Sequence, residues 1–322
     1  MPSRIVRKIN QLVETHKNPA VFEPFHRTNA LHCMTTLINE SNTIRLPLKH
    51  GSFNAGLIKF PHKNEYICVY RPDETSFTGI RLNSKLEIFG ESYKFKLTNC
   101  ADPRLIWDKN KLLVIYSSIE EGFKLECIKG SIIMDLAKSD DFISTEPFRV
   151  SPKSTSREKN WMPFSYQNKI YLTASVNPHV IYELKEQYAE KVYENDFVCP
   201  WINNEFLRGN TNAVQLEDGN YLGTFHTVKK NHKNMHFYDN GCYVFEGKPP
   251  FKVLKCSYRT YMKAEDAIEP HFRKKGLIQV CFPVGMIRND DEILISYGDN
   301  DSCVKILKTT VKEMLSTTID VY

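Results

Sequence analysis

Five short β-hairpins recur along the sequence, and this repeat restricts the possible folds more than any other feature. The hairpins begin near residues 60, 107, 166, 216 and 288, a spacing of about fifty residues that is typical of β-propeller blades. In each hairpin a polar turn precedes an apolar segment of strand length. These segments are YICVYR, KLLVIYSS, KIYLTAS, YLGTFHT and EILISYG. The repeat predicts an all-β fold, a five-bladed β-propeller over residues 45–322.

A cluster of Asp, Arg, Asn, Lys or His side chains accompanies every hairpin. The clusters are FNAG with YRPDE, NCADPR, REKNWMPF, RGNTN with GTFHT, and SYGDND. A β-sandwich would also contain many short strands, but it would not obviously place a polar cluster beside the same strand of each unit. In a propeller these strand ends face one central pocket, so we expect the functional site there.

The first 44 residues precede the repeat and are predicted to form a helical extension that packs on the propeller. Ile5, Ile9, Leu12 and Val13 recur at helical spacing, and a dimer contact is the alternative role for this helix. The segment lacks the apolar stretch of a secretory signal, and no run of about eighteen apolar residues occurs. An odd number of cysteines without CxxC pairs favours a reducing compartment. We therefore expect a cytoplasmic protein.

The charge distribution argues against a nucleic-acid partner. The net charge of +5 comes from 43 basic and 38 acidic residues spread along the chain, whereas nucleic-acid binders concentrate their charge. The densest basic run, VKKNHKN at residues 228–234, is predicted to be a solvated loop, with phosphate contact as the alternative. We predict neither a nucleic-acid nor a membrane partner, and a homo-oligomer is compatible with the sequence.

Asp102 is the candidate catalytic group. It lies in the segment ADPR, where Pro103 fixes the backbone and Arg104 follows directly. A neighbouring guanidinium favours a charged carboxylate, whereas burial and hydrogen bonding can keep a carboxyl group protonated for use as an acid. An exposed Asp-Pro turn is the alternative, but the position at the head of the second unit favours a catalytic role.

Basic side chains lie at comparable positions in different units. Each could by itself be a surface charge or, for the histidine, a hydrogen-bonded core residue. Together they would form a cationic recess suited to a phosphate oxyanion. The set consists of Arg71, Arg157, Lys159, Arg208 and His226. The sequence therefore predicts that phosphate or a phosphorylated sugar binds there.

Amide, carboxylate and aromatic side chains in the same clusters indicate carbohydrate binding. Amides and carboxylates sort sugar hydroxyls by hydrogen bonding, and aromatic rings supply flat apolar faces. Trp161 and Phe164 could equally pack between blades. The other candidates are Asn54, Asn160, Asn210, Asn212, Tyr297, Asp299 and Asp301.

Motifs of other chemistries are absent from the sequence. There is no GxxxxGK[ST] loop, no GxGxxG after a strand, no HExxH and no GxSxG. The cysteines and histidines also lack zinc-site spacing. We expect no cofactor and no metal, because a basic pocket can stabilise an oxyanion without a Lewis acid.

The sequence contains, in this order, FNAG with YR, ADPR, EKNW, the strand ending at His226 and FPVG…SYGDND. Together these motifs resemble glycoside hydrolase family 130, the five-bladed β-mannoside phosphorylases. They are also similar to the related β-1,2-mannosyltransferases of glycosyltransferase family 108. The resemblance runs from about Arg45 to the end of the sequence. It implies an inverting reaction between a β-mannoside and phosphate, or its reversal from mannose 1-phosphate. The implied partners are a mannose-containing oligosaccharide and inorganic phosphate or a sugar phosphate.

The resemblance also implies roles for individual residues. Asp102 matches the single catalytic Asp, which is thought to act through a sugar hydroxyl, so one protein carboxylate suffices where inverting glycosidases need two. The residues that match the phosphate side are Arg71, Lys159 and His226, with Arg157 and Tyr297. Those that match positions near the sugar are Asn54, Arg104 and Asp301. Ala101 departs from the usual acidic residue, and QLEDGNYLGTFHT lacks the usual tryptophan, which leaves the acceptor and the direction open.

Three alternatives to a phosphorylase remain at the level of sequence. A glycoside hydrolase on the same fold would use water and would prefer carboxylates where phosphate binds, so Arg71, Lys159 and His226 count against it. A transferase could use a nucleotide sugar, because a basic recess does not distinguish phosphorylated donors. A non-catalytic glycan-binding propeller is the third alternative, because a fold does not determine a function.

Overall fold

The computed structural model describes residues 36–119, 126–152, 158–186, 188–197, 199, 207–230, 236–271 and 278–321. The predicted N-terminal helix lies outside these residues. Among the described residues, the helical segments are the 3-10 turns Glu40–Asn42 and Ala264–Asp266 and one helix, α1 (Val311–Leu315). In the described ranges, no helix has both the length and the apolar character needed to cross a membrane.

Strands make up most of the described chain, as the hairpin repeat predicted. The strands before residue 200 are β1 (Thr43–Arg45), β2 (Phe53–Lys59), β3 (Tyr66–Arg71), β4 (Thr78–Leu82), β5 (Ile88–Lys94), β6 (Cys100–Asp108), β7 (Lys111–Ile119), β8 (Glu126–Asp135), β9 (Phe148–Arg149), β10 (Met162–Tyr166), β11 (Lys169–Ser175), β12 (His179–Leu184) and β13 (Ala189–Asn195). The later strands are β14 (Arg208–Gly209), β15 (Val214–Gln215), β16 (Tyr221–Lys230), β17 (His236–Phe245), β18 (Val253–Ser257), β19 (Ile278–Asn289), β20 (Glu292–Asp299), β21 (Cys303–Thr310) and β22 (Thr318–Asp320). The all-β prediction is confirmed.

Three sheets are four-stranded antiparallel meanders, formed by β2 to β5, β6 to β9 and β10 to β13. The remaining strands form one ten-stranded sheet, in which a short parallel pairing of β17 with β19 joins two antiparallel groups. The five segments predicted as strands lie in β3, β7, β11, β16 and β20. The described ranges form four sheets rather than the five expected from five blades, because backbone pairing continues from β17 to β19. The predicted domain boundary after residue 44 falls inside β1, which pairs with β21.

The first strands of neighbouring sheets lie side by side. Strand β2 contacts both β6 and β19, and β6 contacts β10. Gly56 permits the close approach of β2 to β6, because a Cβ atom at this position would lie 2.2 Å from the backbone oxygen of Pro103. The starts of these strands are therefore brought to one region of the molecule.

Bulges at the starts of β2 and β6 redirect two predicted site residues. The strand register shifts between Phe53 and Gly56 in β2, and between Ala101 and Arg104 in β6. Within these bulges Asn54 and Asp102 have φ angles of 45° and 55°, in the left-handed region that Asn and Asp tolerate better than other side chains. A bulge breaks the regular alternation of side chains. The two side chains can therefore meet.

The aromatic residues of the third cluster belong to the core. Trp161 and Phe164 are each 1% exposed. The Trp161 ring packs on Tyr182 with centroids 4.5 Å apart, and Phe164 packs on Phe245 and Phe251 with centroids 5.2 Å apart in each pair. Both residues pack in the core, and their burial leaves no ring face for a sugar.

Cysteines also contribute to the core. The cysteines of the described ranges are buried and none forms a disulfide bond. Burial raises the pKa of the Cys68 thiol to about 12, so this thiol stays protonated at neutral pH. Such thiols behave as small apolar side chains.

Candidate active site

A pocket of about 340 Å³ collects most of the predicted site residues. Those in its lining are Asn54, Arg71, Asp102, Lys159, Asn160, Arg208, His226 and Asp301. The other lining residues are Ala101, Ser117, Glu126, Val228, Tyr238, Val280 and Phe282. Residues of three sheets and of the segment just before β10 therefore meet in one pocket, at the region where the first strands begin.

Asp102 is held in the pocket wall through one of its two carboxylate oxygens. Its Oδ1 accepts a hydrogen bond from Asn54 Nδ2 at 2.9 Å and a longer one from Arg71 Nη1 at 3.4 Å. Arg71 is itself fixed, because its Nη2 donates to Glu74 O at 2.8 Å and its guanidinium lies 4.5 Å from the ring centroid of Phe53. Within the described ranges no residue bonds Oδ2 of Asp102.

Arg104 lies beneath the pocket rather than in its lining. The side chain is 1% exposed, and its Nε donates to the backbone oxygen of Asn210. Its Nη1 donates to Asp102 O at 3.0 Å, and its Nη2 donates to Asn160 Oδ1 at 3.4 Å. Burial lowers the pKa of Arg104 to about 10, against the opposing effect of Asp102. Arg104 stays charged, and its hydrogen bonds connect three units below the site. Its predicted role near the sugar is therefore indirect.

Among the described residues, three cationic side chains line the pocket, and a carboxylate lies next to two of them, Asp102 next to Arg71 and Glu126 next to Lys159. The cations are Arg71, Lys159 and Arg208. The Lys159 Nζ atom lies 3.6 Å from Glu126 Oε2, so an acidic group is present inside the predicted phosphate region. Arg157, predicted to belong to the same set, lies outside the described residues.

His226 is buried at the wall of the pocket, with 2% of its surface exposed. Its Nδ1 lies 2.6 Å from Asn210 Oδ1. Two aromatic rings flank the imidazole, Tyr238 at 5.7 Å and Phe282 at 5.2 Å between centroids. The contact at Nδ1 and the two aromatic neighbours therefore fix the orientation of the imidazole.

The charge of His226 differs from the sequence-based expectation of a cationic recess. Burial first, and then the positive charges of Arg104, Arg208 and Lys159, lower the pKa of His226 well below its usual value. The imidazole is neutral at pH 7 and adds no positive charge to the pocket. The basic character of the site comes from the arginines and the lysine.

Tyr297, Asp299 and Asp301 of the segment SYGDND do not converge as the sequence suggested. Tyr297 is 1% exposed within a hydrophobic cluster, and Asp299 is fully buried with its Oδ2 2.6 Å from Lys305 Nζ. Asp301 alone lines the pocket, and its Oδ2 lies 3.4 Å from His271 Nε2. Strand β20 ends at Asp299, and Asp301 has a φ of 51°, so the chain changes direction between them. The burial of Tyr297 gives no support to direct contact with a ligand.

Several lining residues were not identified from the sequence. Ser117 pairs with Ala101 across β6 and β7, and Tyr238 pairs with Val228 across β16 and β17. Ser117 and Tyr238 could have been predicted by working out which residues of the partner strand pair with the polar clusters. Glu126 begins β8 after a segment without a recognisable motif, so it carried no local signal.

The donor set of the pocket is suited to anions and hydroxyl groups. Guanidinium and ammonium groups bind oxyanions, while amides and carboxylates bind sugar hydroxyls. Over the described ranges, no group of three or more His, Cys, Asp or Glu side chains is arranged to hold a metal ion.

Solved structures with the same fold include two phosphorylases and a hydrolase. A β-1,2-mannobiose phosphorylase from Listeria innocua is 13% identical with a TM-score of 0.55, and the match covers 92% of this chain and 97% of that chain. The mannose phosphorylase MPT-4 from Leishmania mexicana is 11% identical with a TM-score of 0.57, covering 97% and 98%. A glycosyl hydrolase from Bacteroides ovatus is 10% identical with a TM-score of 0.59, covering 88% and 92%. At such low identity these similarities show a common fold.

The family comparison is more specific. The glycoside hydrolase family 130 model, described as beta-1,4-mannooligosaccharide phosphorylase, matches residues 73–319, which is more than half of the chain. No curated protein matches the sequence. The matched range includes Asp102, Lys159, Arg208, His226 and Asp301 of the pocket. The resemblance found in the sequence motifs is confirmed, and the chain belongs to glycoside hydrolase family 130.

Proposed function

We propose that this protein transfers a β-mannosyl group between a mannoside and phosphate, with inversion at the anomeric carbon. The observation that carries the proposal is the placement of the Asp102 carboxylate in one pocket with Arg71, Lys159 and Arg208. A carboxylate can exchange a proton with a sugar oxygen, and three cations can hold an oxyanion. A pocket of about 340 Å³ is within the range of small-ligand sites.

In the phosphorolytic direction Asp102 is the general acid. Its proton reaches the leaving oxygen through a sugar hydroxyl, while a phosphate oxygen on the opposite face of the ring bonds to the anomeric carbon. The glycosidic bond breaks, the shortened mannoside leaves with the proton, and mannose 1-phosphate forms. In the reverse direction Asp102 is the base and mannose 1-phosphate is the donor.

The remaining polar residues are assigned to substrate binding. Asn54, Asn160 and Asp301 lie in the lining and can exchange hydrogen bonds with sugar hydroxyls. Arg71, Lys159 and Arg208 hold the phosphate, and we place Arg157 with them from the sequence. The Listeria innocua enzyme was solved with β-1,2-mannobiose and the Leishmania mexicana enzyme with a phosphate ion, which supports these two ligand classes.

The proposal extends to architecture and location. We propose that the ten-stranded sheet comprises two blades that meet at the β17 and β19 pairing, which gives five blades behind an N-terminal extension at residues 1–44. The buried free cysteines suit a reducing compartment, so we propose a cytoplasmic enzyme.

A mannoside hydrolase is the second candidate, and Glu126 is the observation that favours it. Its carboxylate lies next to Lys159 in the region assigned to phosphate, where it could activate a water molecule instead. Phosphate binding would have to displace or neutralise this ion pair. The two candidates therefore make opposite predictions for Glu126→Gln. The substitution should strengthen phosphate binding in a phosphorylase, and it should abolish turnover in a hydrolase that uses Glu126 as its base.

The experiment measures mannose 1-phosphate and free mannose formed from β-1,2- and β-1,4-linked manno-oligosaccharides, with and without phosphate. The wild-type protein should form mannose 1-phosphate only when phosphate is present. Asp102→Asn should slow this by about 100- to 10,000-fold, the usual contribution of a general acid. Asp290→Asn is a matched control, because Asp290 is an exposed Asp that also has a positive φ, 53°.

Undiminished release of mannose without phosphate would contradict the phosphorylase proposal and support the hydrolase. Full activity in Asp102→Asn would remove Asp102 from the mechanism. If mannosides stay intact but a nucleotide sugar donates to them, the donor in the proposal is wrong.

A further inference from the structure

Behind His226, two buried asparagines form a chain of hydrogen bonds that ends at the imidazole. Asn240 Nδ2 donates to the backbone oxygens of Met262 at 3.2 Å and Cys281 at 3.0 Å. Asn210 Nδ2 donates to Asn240 Oδ1 at 3.0 Å. The Oδ1 of Asn210 then lies 2.6 Å from His226 Nδ1. Both asparagines are completely buried, so water cannot replace these partners.

This chain has only one consistent orientation. Two carbonyl oxygens accept from the Asn240 amide nitrogen, and turning that amide over would place its oxygen against both of them. Because Asn240 must present its oxygen to Asn210, Asn210 must donate its nitrogen and present its own oxygen to His226. A carbonyl oxygen can only accept, so His226 Nδ1 must carry a proton. In a neutral imidazole Nε2 is then a hydrogen-bond acceptor.

The surroundings of His226 keep it neutral and leave Nε2 open to the pocket. Arg104, Arg208 and Lys159 act on the imidazole through their positive charges, and the rings of Tyr238 and Phe282 are its apolar neighbours. No partner of Nε2 occurs among the residues that the structure describes. His226 itself lines the pocket. A ligand oxygen that meets Nε2 must therefore bring its own hydrogen.

We propose that Asn240 and Asn210 are positioning residues that fix His226 as an acceptor, so that the anion site selects hydrogen phosphate over anions without an O–H group. Hydrogen phosphate retains one O–H at neutral pH, and this group donates to His226 Nε2 while the cations bind the other oxygens. Sulfate has the same shape and charge but has no proton to donate. It would place an oxygen lone pair against that of Nε2. The inference rests on the proposed phosphate site, and it adds how that site recognises its anion.

The first measurement is the protonation pattern of His226 by nitrogen-15 NMR of the full-length protein labelled at histidine. His226→Gln assigns the signal. We expect a protonated Nδ1 and an unprotonated Nε2 in the absence of ligand. An Nε2–H tautomer or an imidazolium at pH 7.5 would overturn the proposal.

The second measurement compares phosphate and sulfate affinities by calorimetry at pH 7.5 without any mannoside. The wild-type protein should bind phosphate at least about 10-fold more tightly than sulfate, because a sulfate oxygen would leave Nε2 without a hydrogen bond. Asn210→Asp should reduce this ratio by about 10-fold, because a carboxylate beside Nδ1 stabilises the imidazolium, and Nε2–H then becomes a donor that suits sulfate. Asn212→Asp is the matched control. Asn212 is buried in the same segment but bonds the backbone of Met286, so this variant should keep the wild-type tautomer and ratio.

The outcomes separate this inference from the proposed function. Equal affinity for the two anions, or no phosphate binding, would overturn the inference. So would a mannose affinity that falls in Asn210→Asp while the anion ratio stays constant, because Nε2 would then accept from a sugar hydroxyl. Anion selectivity with the expected tautomer, but without mannoside phosphorolysis, would overturn only the proposed reaction.

Discussion

The side-chain amide of Asn54 donates a hydrogen bond to the carboxylate of Asp102 across 2.9 Å, from β2 of one sheet to β6 of the next. Both residues have positive φ angles in β-bulges, so the contact depends on two irregular backbone positions that lie 48 residues apart. Buried polar contacts of this kind fix the orientation of a functional group. Asp102 is therefore positioned by the packing of two sheets rather than by its own turn.

A methyl group at residue 298 should disturb Asp102 without entering the pocket. A Cβ atom on Gly298 would lie 2.2 Å from Asn54 Oδ1 and 2.9 Å from Asn54 N, so Gly298→Ala must displace Asn54. We expect turnover to fall by about 10- to 100-fold, because small shifts of a catalytic group lower rates steeply. Steady-state kinetics on mannosides test this. Gly90→Ala is the control for general strain, since a Cβ there meets no atom within 4 Å although its φ is 71°. Equal losses in both variants would contradict the specific role of Asn54.

Removing the charge of Arg71 should weaken anion binding. Arg71 lines the pocket, and its two Nη atoms are already oriented by Asp102 and Glu74. We expect Arg71→Gln to raise the dissociation constant for phosphate by about 10- to 100-fold, since a hydrogen bond to a charged group contributes about 1.5–3 kcal/mol. Calorimetric titration measures this. Arg45→Gln is the matched control, because Arg45 forms an exposed ion pair with Glu269 outside the lining. Unchanged phosphate affinity in Arg71→Gln would remove this residue from the anion site.

The buried pair of Asp299 and Lys305 should contribute to stability rather than to catalysis. Asp299 Oδ2 lies 2.6 Å from Lys305 Nζ, and both residues are buried. Asp299→Ala removes the closer carboxylate of a buried lysine and leaves only Glu269 Oε1 at 3.9 Å, so it should lower the free energy of unfolding by about 3 kcal/mol. Urea denaturation measures the change. Asp320→Ala, which removes the exposed partner of Lys255, should cost less than about 1 kcal/mol. A comparable small loss for Asp299→Ala would refute the structural role.

His179 should make stability fall at acidic pH. Burial lowers its pKa from 6.5 to about 4, although its Nδ1 lies 2.9 Å from Phe251 O. Because the folded-state pKa is below the unfolded one, this group's contribution to stability is present above pH 6.5 and is lost as the pH falls towards 4. The loss is about 3 kcal/mol at about 1.4 kcal/mol per pKa unit. Urea denaturation from pH 7 to pH 4 should show a smaller pH dependence in His179→Leu. The same slope in the wild-type protein and in His179→Leu would contradict the prediction.

Local chemistry was sufficient to predict the strands and the region of the site. Turns such as DKNK and RNDDE, followed by KLLVIYSS and EILISYG, place β7 and β20, because strand formation depends on alternation and turn residues that are adjacent in sequence. The polar clusters beside these hairpins predicted most of the pocket lining. The motifs around Asp102 also identified the family, since the functional segments follow one another in a recognisable order.

The tertiary structure decided which side chains reach the pocket and which charge neighbours they have there. Tyr297 and Asp299 share a segment with Asp301, yet only Asp301 lines the site, because the chain changes direction after β20. Glu126 at the start of β8 lies 3.6 Å from Lys159 in the segment before β10, and nothing in its own segment indicates this.

The sequence by itself determined the all-β hairpin repeat, the polar clusters and the family, since these are recorded in neighbouring residues. Only the tertiary structure determined the neutral state of His226 and the hydrogen bond that orients Asp102. The physical reason is that a side chain's charge and orientation depend on its neighbours in space, and in this fold those neighbours come from distant segments of the chain.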